Sequence, residues 1–323
     1  RRVVSLCGCV QANLDQLKKG WKRGHTSLLV VVVVVVAQLH KMALVSRIFA
    51  LHVLATTAIG ALHAADSDCG RANSPRSGGI VGGWIFKHHQ YPWLTILAAR
   101  VNRTMYTCGS SLITNQHVLT VAHCAPQRST ITAYLGVSKF SEVRHSKKAI
   151  VRTVVRVFIS MFNANPAEGR NDIAVLALDR VVPFGATVRP VCLPTPGGDS
   201  DGENLVGRSL LVAGWGDTYP QVRSVDEGKA VYVEVRPMSE CEHAFGAMKN
   251  HAKRLCIGHP GKSDGPCIGD SGGPAMVVDK SGRHTVVGLV SFGHSRCLFD
   301  PPAVLTKVAP FVNLIQTAIR QKI

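Results

Sequence analysis

Residues 269–293 read GDSGGPAMVVDKSGRHTVVGLVSFG. Inside this stretch PAMVV (274–278) and TVVGLVSFG (285–293) are short apolar runs, parted by a polar, glycine-containing break. The same rhythm recurs upstream in TILAARV (95–101), SLIT (111–114), HVLTVAHC (117–124), TAYLG (132–136), DIAVLAL (172–178), SLLVAGWG (209–216) and AVYVEV (230–235), and downstream in AVLTKV (303–308). Runs this short, rich in Val, Ile, Leu and Thr and bounded by turn residues, predict an all-β architecture of many short strands. Only the end departs from it. Between residues 308 and 323, Phe311, Leu314, Ile315, Ala318 and Ile319 follow the i, i+3, i+4 spacing of one helical face.

The chain has 323 residues, 46% of them hydrophobic, so a sizeable core is available. Its formal charge is +17, of which +7 falls in residues 1–65 and +10 in the remainder. That balance suits solubility, acidic substrates or anionic surfaces. No Lys/Arg run interleaved with aromatics points to nucleic acid. Ten cysteines are many for a reducing compartment. Cys7 and Cys9 stand apart at the start, and eight more lie between Cys69 and Cys297, an even set suited to four disulfides. The count does not fix their connectivity.

The first methionine is Met42. It opens a short basic segment, an apolar stretch from Ile48 to Leu62 and small residues ending near Ala65, the pattern of a secretory signal peptide over residues 42–65. The apolar stretch is shorter than the roughly 20 residues a membrane span needs, so a membrane anchor is not expected. Residues 1–41, with their run of valines and no leading Met, read as an extension foreign to the natural product. Residues 66–79 form a short Gly/Ser/Pro-rich pro-segment, and residues 80–323 the remaining domain.

The turn GDSGGP (269–274) places Ser271 among glycines. A serine hydroxyl is a weak nucleophile that needs a base and a place for developing negative charge. Surrounding glycines allow a tight turn whose N–H groups aim inward. His123, in LTVAHC (119–124), follows an apolar run and sits beside a cysteine. Asp172, in NDIAVL (171–176), enters an apolar strand, where a buried carboxylate requires a partner.

With these segments in this order, residues 80–323 resemble the trypsin/chymotrypsin family of serine proteases. The resemblance also rests on IVGG (80–83), YPW (91–93), Cys108-Gly109, Gly214-Trp215-Gly216 and Ser291-Phe292-Gly293. It implies two antiparallel six-stranded β-barrels with the site between them and a C-terminal α-helix. It further implies Ser271 as nucleophile, His123 as general base and acid, and Asp172 as the group that orients the histidine. The N–H groups of Gly269 and Ser271 would form the oxyanion hole, and Ser291 would support Asp172. The implied disulfides are Cys108–Cys124, Cys241–Cys256, Cys267–Cys297 and Cys69–Cys192, the last tethering the pro-segment. Expected partners are protein or peptide substrates, protein protease inhibitors and an activating protease, for a secreted, monomeric zymogen that needs no cofactor or metal. A catalytically silent homologue acting as a binding module is the competing expectation.

Two features depart from the family pattern. The family frees an α-amine, here on Ile80, which pairs with Asp270; yet Gly79 rather than Arg or Lys precedes the cut, and the nearest basic residue is Arg76. Either the activator accepts Gly, or a cut at Arg76 is followed by trimming, or activation fails. In the specificity pocket, Gly265 occupies the position six residues before the nucleophile, where trypsin-like members carry Asp, and Gly293 and Ala303 take the wall positions. These imply an apolar P1 preference, chymotrypsin- or elastase-like, with trypsin-like specificity as the alternative if Asp264 reaches the pocket. Asn102-Arg103-Thr104 is an N-glycosylation sequon. The stretch between His123 and Asp172 carries few acids and offers no calcium site, and the pair His88-His89 reads as surface loop.

Overall fold

The computed structural model describes residues 68–73, 83–145, 149–163, 165, 171–195, 198, 205–217, 226–258, 265–294 and 302–323. The expected extension 1–41 with Cys7 and Cys9, the signal segment 42–65, Gly79, Ile80, Asp264 and Cys297 lie outside the described residues.

Thirteen strands carry the described fold. Strands β2 (Leu94–Val101), β3 (Thr104–Leu112), β4 (His117–Thr120), β5 (Thr130–Leu135), β6 (Ile150–Ile159) and β7 (Ala174–Leu178) close a barrel in the order β2-β3-β4-β7-β6-β5. A second sheet holds β8 (Ser209–Gly214), β9 (Lys229–Arg236), β10 (Arg254–Gly258), β13 (Ala303–Lys307), β12 (His284–Phe292) and β11 (Pro274–Val278), and the β8–β9 pairing closes these six into a ring. The two-residue β1 (Trp84–Ile85) is appended to β9. The fold is therefore two six-stranded antiparallel β-barrels with a C-terminal helix: the all-β class follows the strand rhythm, and the two barrels follow what the family resemblance implied.

Closure leaves the strands with no exposed edge, and every residue of β4 and β7 is buried, the polar His117 and Thr120 of β4 included. Strand β6 is only half covered, and its side chains alternate for much of its length between partly buried and exposed positions. Among the described residues there are three short α-helices: α1 (Glu142–His145), α2 (Met238–Phe245) and α3 (Val312–Arg320). The last is preceded by a 3-10 turn, Ala309–Phe311, so the helical spacing read over 308–323 covers both. Phe311, Ile315 and Ala318 are buried as that spacing requires. No described helix is long and apolar enough to cross a membrane.

Disulfides join Cys69 to Cys192, Cys108 to Cys124 and Cys241 to Cys256. Cys267 is also disulfide-bonded, while its expected partner Cys297 lies outside the described residues. The Cys69 link is reinforced by backbone bonds from Gly70 N–H to Pro190 O and from His284 N–H to Gly70 O.

Candidate active site

The first barrel brings His123 and Asp172 together through strand register. In the antiparallel pair β4–β7, Thr120 lies opposite Ala174. The chain leaving β4 enters a 3-10 turn, Ala122–Cys124, that carries His123, while Asp172 stands just before β7. The end of one strand and the start of its neighbour thus share one edge. Asp172 is fully buried. Its Oδ1 accepts the His123 backbone N–H at 3.0 Å, and its Oδ2 faces His123 Nδ1 at 2.8 Å. Oδ2 also accepts the Ser291 hydroxyl at 2.6 Å.

Burial alone would raise the Asp172 carboxyl. The His123 side-chain hydrogen bond and charge, the Ser291 hydroxyl and the His123 N–H together outweigh it and hold the group below its ordinary value. Ser291 reaches across from β12, where the β12–β13 register shifts between Val290 and Phe292. Such an irregularity re-aims a side chain out of the ladder.

The nucleophile turn lies against the first barrel with almost no spare room. Gly109 N–H on β3 donates to Ser271 O at 2.8 Å, and the Cys124 sulfur lies 3.6 Å from the same oxygen. Gly272 adopts φ +81°, and a Cβ there would overlap Thr120 Oγ1 and crowd Gly109 O. Glycine is thus required twice over, by dihedral and by space. Gly269 is likewise at φ +99°. Neither the Gly269 nor the Ser271 N–H donates to a backbone acceptor among the described residues. Among the described residues no hydrogen bond joins His123 Nε2 to Ser271 Oγ; such bonds in ligand-free sites are often long and tighten when substrate binds.

Asp270 turns the other way. Its side chain is buried, with Oδ1 accepting Gly216 N–H at 2.8 Å and Oδ2 accepting Cys267 N–H at 3.0 Å. A Cβ at Gly214 or Gly216 would overlap this carboxylate, which explains both glycines. Burial pushes its carboxyl up to about 6, the two N–H bonds oppose that rise, and Asp217 adds to it. The group lacks a compensating cation among the described residues, and Ile80 lies outside them.

At the expected pocket, Gly293 and Ala303 face each other: a Cβ on Gly293 would stand 3.2 Å from that of Ala303. Gly265 is partly buried beside Cys267. Phe292 packs edge-on against Phe245 of α2, ring centroids 5.5 Å apart. Asn102 occupies an exposed turn between β2 and β3 at φ +53°, a left-handed conformation that Asn tolerates. Ligand atoms of Cys108, His123 and Cys124 gather within 4.8 Å, but the disulfide leaves neither cysteine as a thiolate donor.

One contact had no signature in the sequence. Lys253, ahead of β10, donates its ammonium to Asn171 Oδ1 at 3.0 Å and stacks over Phe311 at 5.4 Å. It thereby fastens the residue before Asp172 to the second barrel. A lysine 82 positions away offers nothing in the local pattern to single it out.

A family model described as Trypsin matches residues 80–315. The chain belongs to the trypsin family of serine proteases. The chain is 31% identical over 241 residues to "Serine protease filzig" of Drosophila melanogaster, a match covering 72% of this chain and 14% of that protein. It is 29% identical over 262 residues to "Suppressor of tumorigenicity 14 protein homolog" of Bos taurus, covering 78% of this chain and 29% of the relative. It is 30% identical over 243 residues to "Venom protease" of Bombus pensylvanicus, covering 72% of this chain and 96% of that one. This trypsin-family chain thus spans only a small part of the first two relatives and nearly all of the third.

Proposed function

We propose that the chain is a secreted serine endopeptidase that works through a Ser271–His123–Asp172 acyl-enzyme mechanism, with preference for apolar P1 residues. The observation that carries the reading is the buried Asp172 carboxylate bound to both the backbone and ring of His123 beside the Ser271 turn. Ser271 Oγ attacks the scissile carbonyl carbon while His123 Nε2 takes its proton. The carbonyl electron pair moves onto oxygen, where the Gly269 and Ser271 N–H groups receive it. The pair then reforms the carbonyl, the C–N bond breaks and His123 protonates the leaving amine. Water, deprotonated by His123, repeats the sequence on the acyl-enzyme and restores Ser271. Asp172 holds the Nδ1–H tautomer and stabilises the imidazolium.

The zymogen step belongs to the same reading. A cut after Gly79 frees the Ile80 α-amine, which enters beside Asp270 and supplies the missing charge. A buried carboxylate held up at about 6 supports this, because a cation at that place removes the cost of ionising it. Disulfides among the described residues suit an oxidising compartment, which supports secretion. A glycan on Asn102 fits its exposed turn.

Hydrolysis of reporter peptides by the processed chain tests the proposal. A Phe reporter should be cleaved faster than an Arg reporter, and Ser271→Ala should lose several orders of magnitude. Faster Arg cleavage would point to Asp264 in the pocket, and no hydrolysis by a chain processed at Ile80 would point to a silent binding module.

A further inference from the structure

A cavity of about 300 Å³ opens between the β3–β4 turn at 114–117 and the chain end at 319–323. Its charged side chains are Arg320 and Lys322, and no acidic side chain lines it. Further cations are joined to its walls. Arg156 of β6 donates to Lys322 O at 3.2 Å, and Arg152 of β6 donates to Val181 O at 3.0 Å. The next residue, Val182, donates its N–H to Asn115 O on the cavity rim at 2.7 Å. Arg180 stands beside this segment, 68% exposed, with Asp179 at 3.5 Å.

Arg320, Lys322, Arg156, Arg152 and Arg180 therefore stand on connected segments, with the Asp179 side chain beside Arg180. Arg152 registers its surroundings: burial first, then the charge of Arg180, pull it below its ordinary value, and Asp179 opposes them. Two buried nitrogens here also lack a hydrogen-bond partner, Arg152 Nε and His117 Nε2. His117 lines the cavity with its Nε2 shielded, and its Nδ1 lies 2.8 Å from Thr114 Oγ1. Five cations with Asp179 as the acidic side chain beside them leave a net positive charge that suits an anion the protein does not itself supply.

We infer that this face binds an acidic polysaccharide, through sulfate or carboxylate groups seated at Arg320 and Lys322 and extending toward Arg156, Arg152 and Arg180. The cations come from separate segments: β6, the turn after β7, the end of α3 and the tail beyond it. That spread suits an extended chain with repeated anions more than one small ion. None of these residues belongs to the proposed catalytic machinery, so the inference does not depend on the peptidase reading.

The experiment is calorimetric titration of the full chain, at physiological salt, with a sulfated octasaccharide, its desulfated counterpart and inorganic sulfate. The paired change Arg320→Gln and Lys322→Gln should weaken sulfated-oligosaccharide binding about tenfold or more, equivalent to about 1.4 kcal/mol. Lys280→Gln, in the β11–β12 turn of the other barrel, should change it less than about twofold. The desulfated sugar should not bind. Equal losses in both variants would reduce the effect to net charge and overturn the site. Sulfate ion binding as tightly as the oligosaccharide would reassign it to a free oxoanion and overturn the polysaccharide. Unchanged affinity in the paired variant, with its melting curve intact, would remove the proposal altogether.

Discussion

Replacing Asp172 by Asn keeps size and shape while changing what the side chain can offer. In the native arrangement both carboxylate oxygens are acceptors, and three donors converge on them: His123 N–H, His123 Nδ1–H and the Ser291 hydroxyl. An amide has one acceptor oxygen. With its NH2 at the Oδ2 place it opposes His123 Nδ1–H, and the ring is driven to the tautomer protonated at Nε2. That nitrogen then cannot accept the Ser271 proton. With the amide turned over, its NH2 meets the His123 backbone N–H and a buried donor is stranded, at about 1–3 kcal/mol. The expected result is a fall in kcat of about ten-thousandfold, or about 5.4 kcal/mol of barrier, with KM little changed. The assay is reporter-peptide hydrolysis across pH on the processed chain, with melting curves to show that the fold persists. A loss below about tenfold in a folded variant would refute the role given to Asp172, because tautomer control cannot be worth so little.

Removing the hydroxyl in Ser291→Ala takes a 2.6 Å bond from the Asp172 charge; hydrogen bonds to charged groups contribute about 1.5–3 kcal/mol. Its acid midpoint of unfolding should move to higher pH, since a carboxyl held low stabilises the fold above its ordinary value and loses that contribution as pH falls through its folded one. Asp270 gives the opposite sign. Its carboxyl rises from 3.8 to about 6 on folding, so the uncut chain should lose stability as pH rises through that window, by about 3 kcal/mol at most. Asp270→Asn should flatten that loss in thermal melts of the uncut chain. Gly272→Ala should destabilise by more than about 2 kcal/mol, since the new methyl meets Thr120 and a left-handed backbone together. Chemical denaturation measures it. Lys253→Met should lower kcat several-fold at unchanged KM, with recovery in Lys253→Arg; equal kcat would leave the Asn171 contact purely structural.

Strands such as β4, β7 and β11 were legible because each lies in a short apolar run bounded by turn residues, a signal local in sequence; β6 and β10 were not among those runs, and the grouping into two barrels came from the family resemblance. The helix at the end was legible for the same reason, as Phe311, Ile315 and Ala318 share one buried face. Ser271, His123 and Asp172 stood out because each lies in a distinctive segment. What local pattern could not carry is the contact between barrels. Gly109 meeting Gly273, Gly272 meeting Thr120 and Lys253 meeting Asn171 join residues far apart in the chain. Nor did sequence show that Asp270, next to the nucleophile, turns away from it into a buried site at Gly214 and Gly216. That orientation depends on glycines 54 or more positions upstream making room for a carboxylate. The cationic face was visible only as excess charge, since Arg180 comes to act on Arg152 across the β6–β7 pairing, while Arg320 and Lys322 meet the β3–β4 turn only through the placement of α3.

The central claim is that Ser271 is an activated nucleophile. Its most direct test is a fluorophosphonate probe applied to the chain before and after processing to Ile80, followed by peptide mapping of the labelled protein. The account predicts one probe per processed molecule, attached at Ser271, with labelling lost in both Ser271→Ala and His123→Ala. Absence of label on a folded, processed chain, or label at another serine, would contradict it.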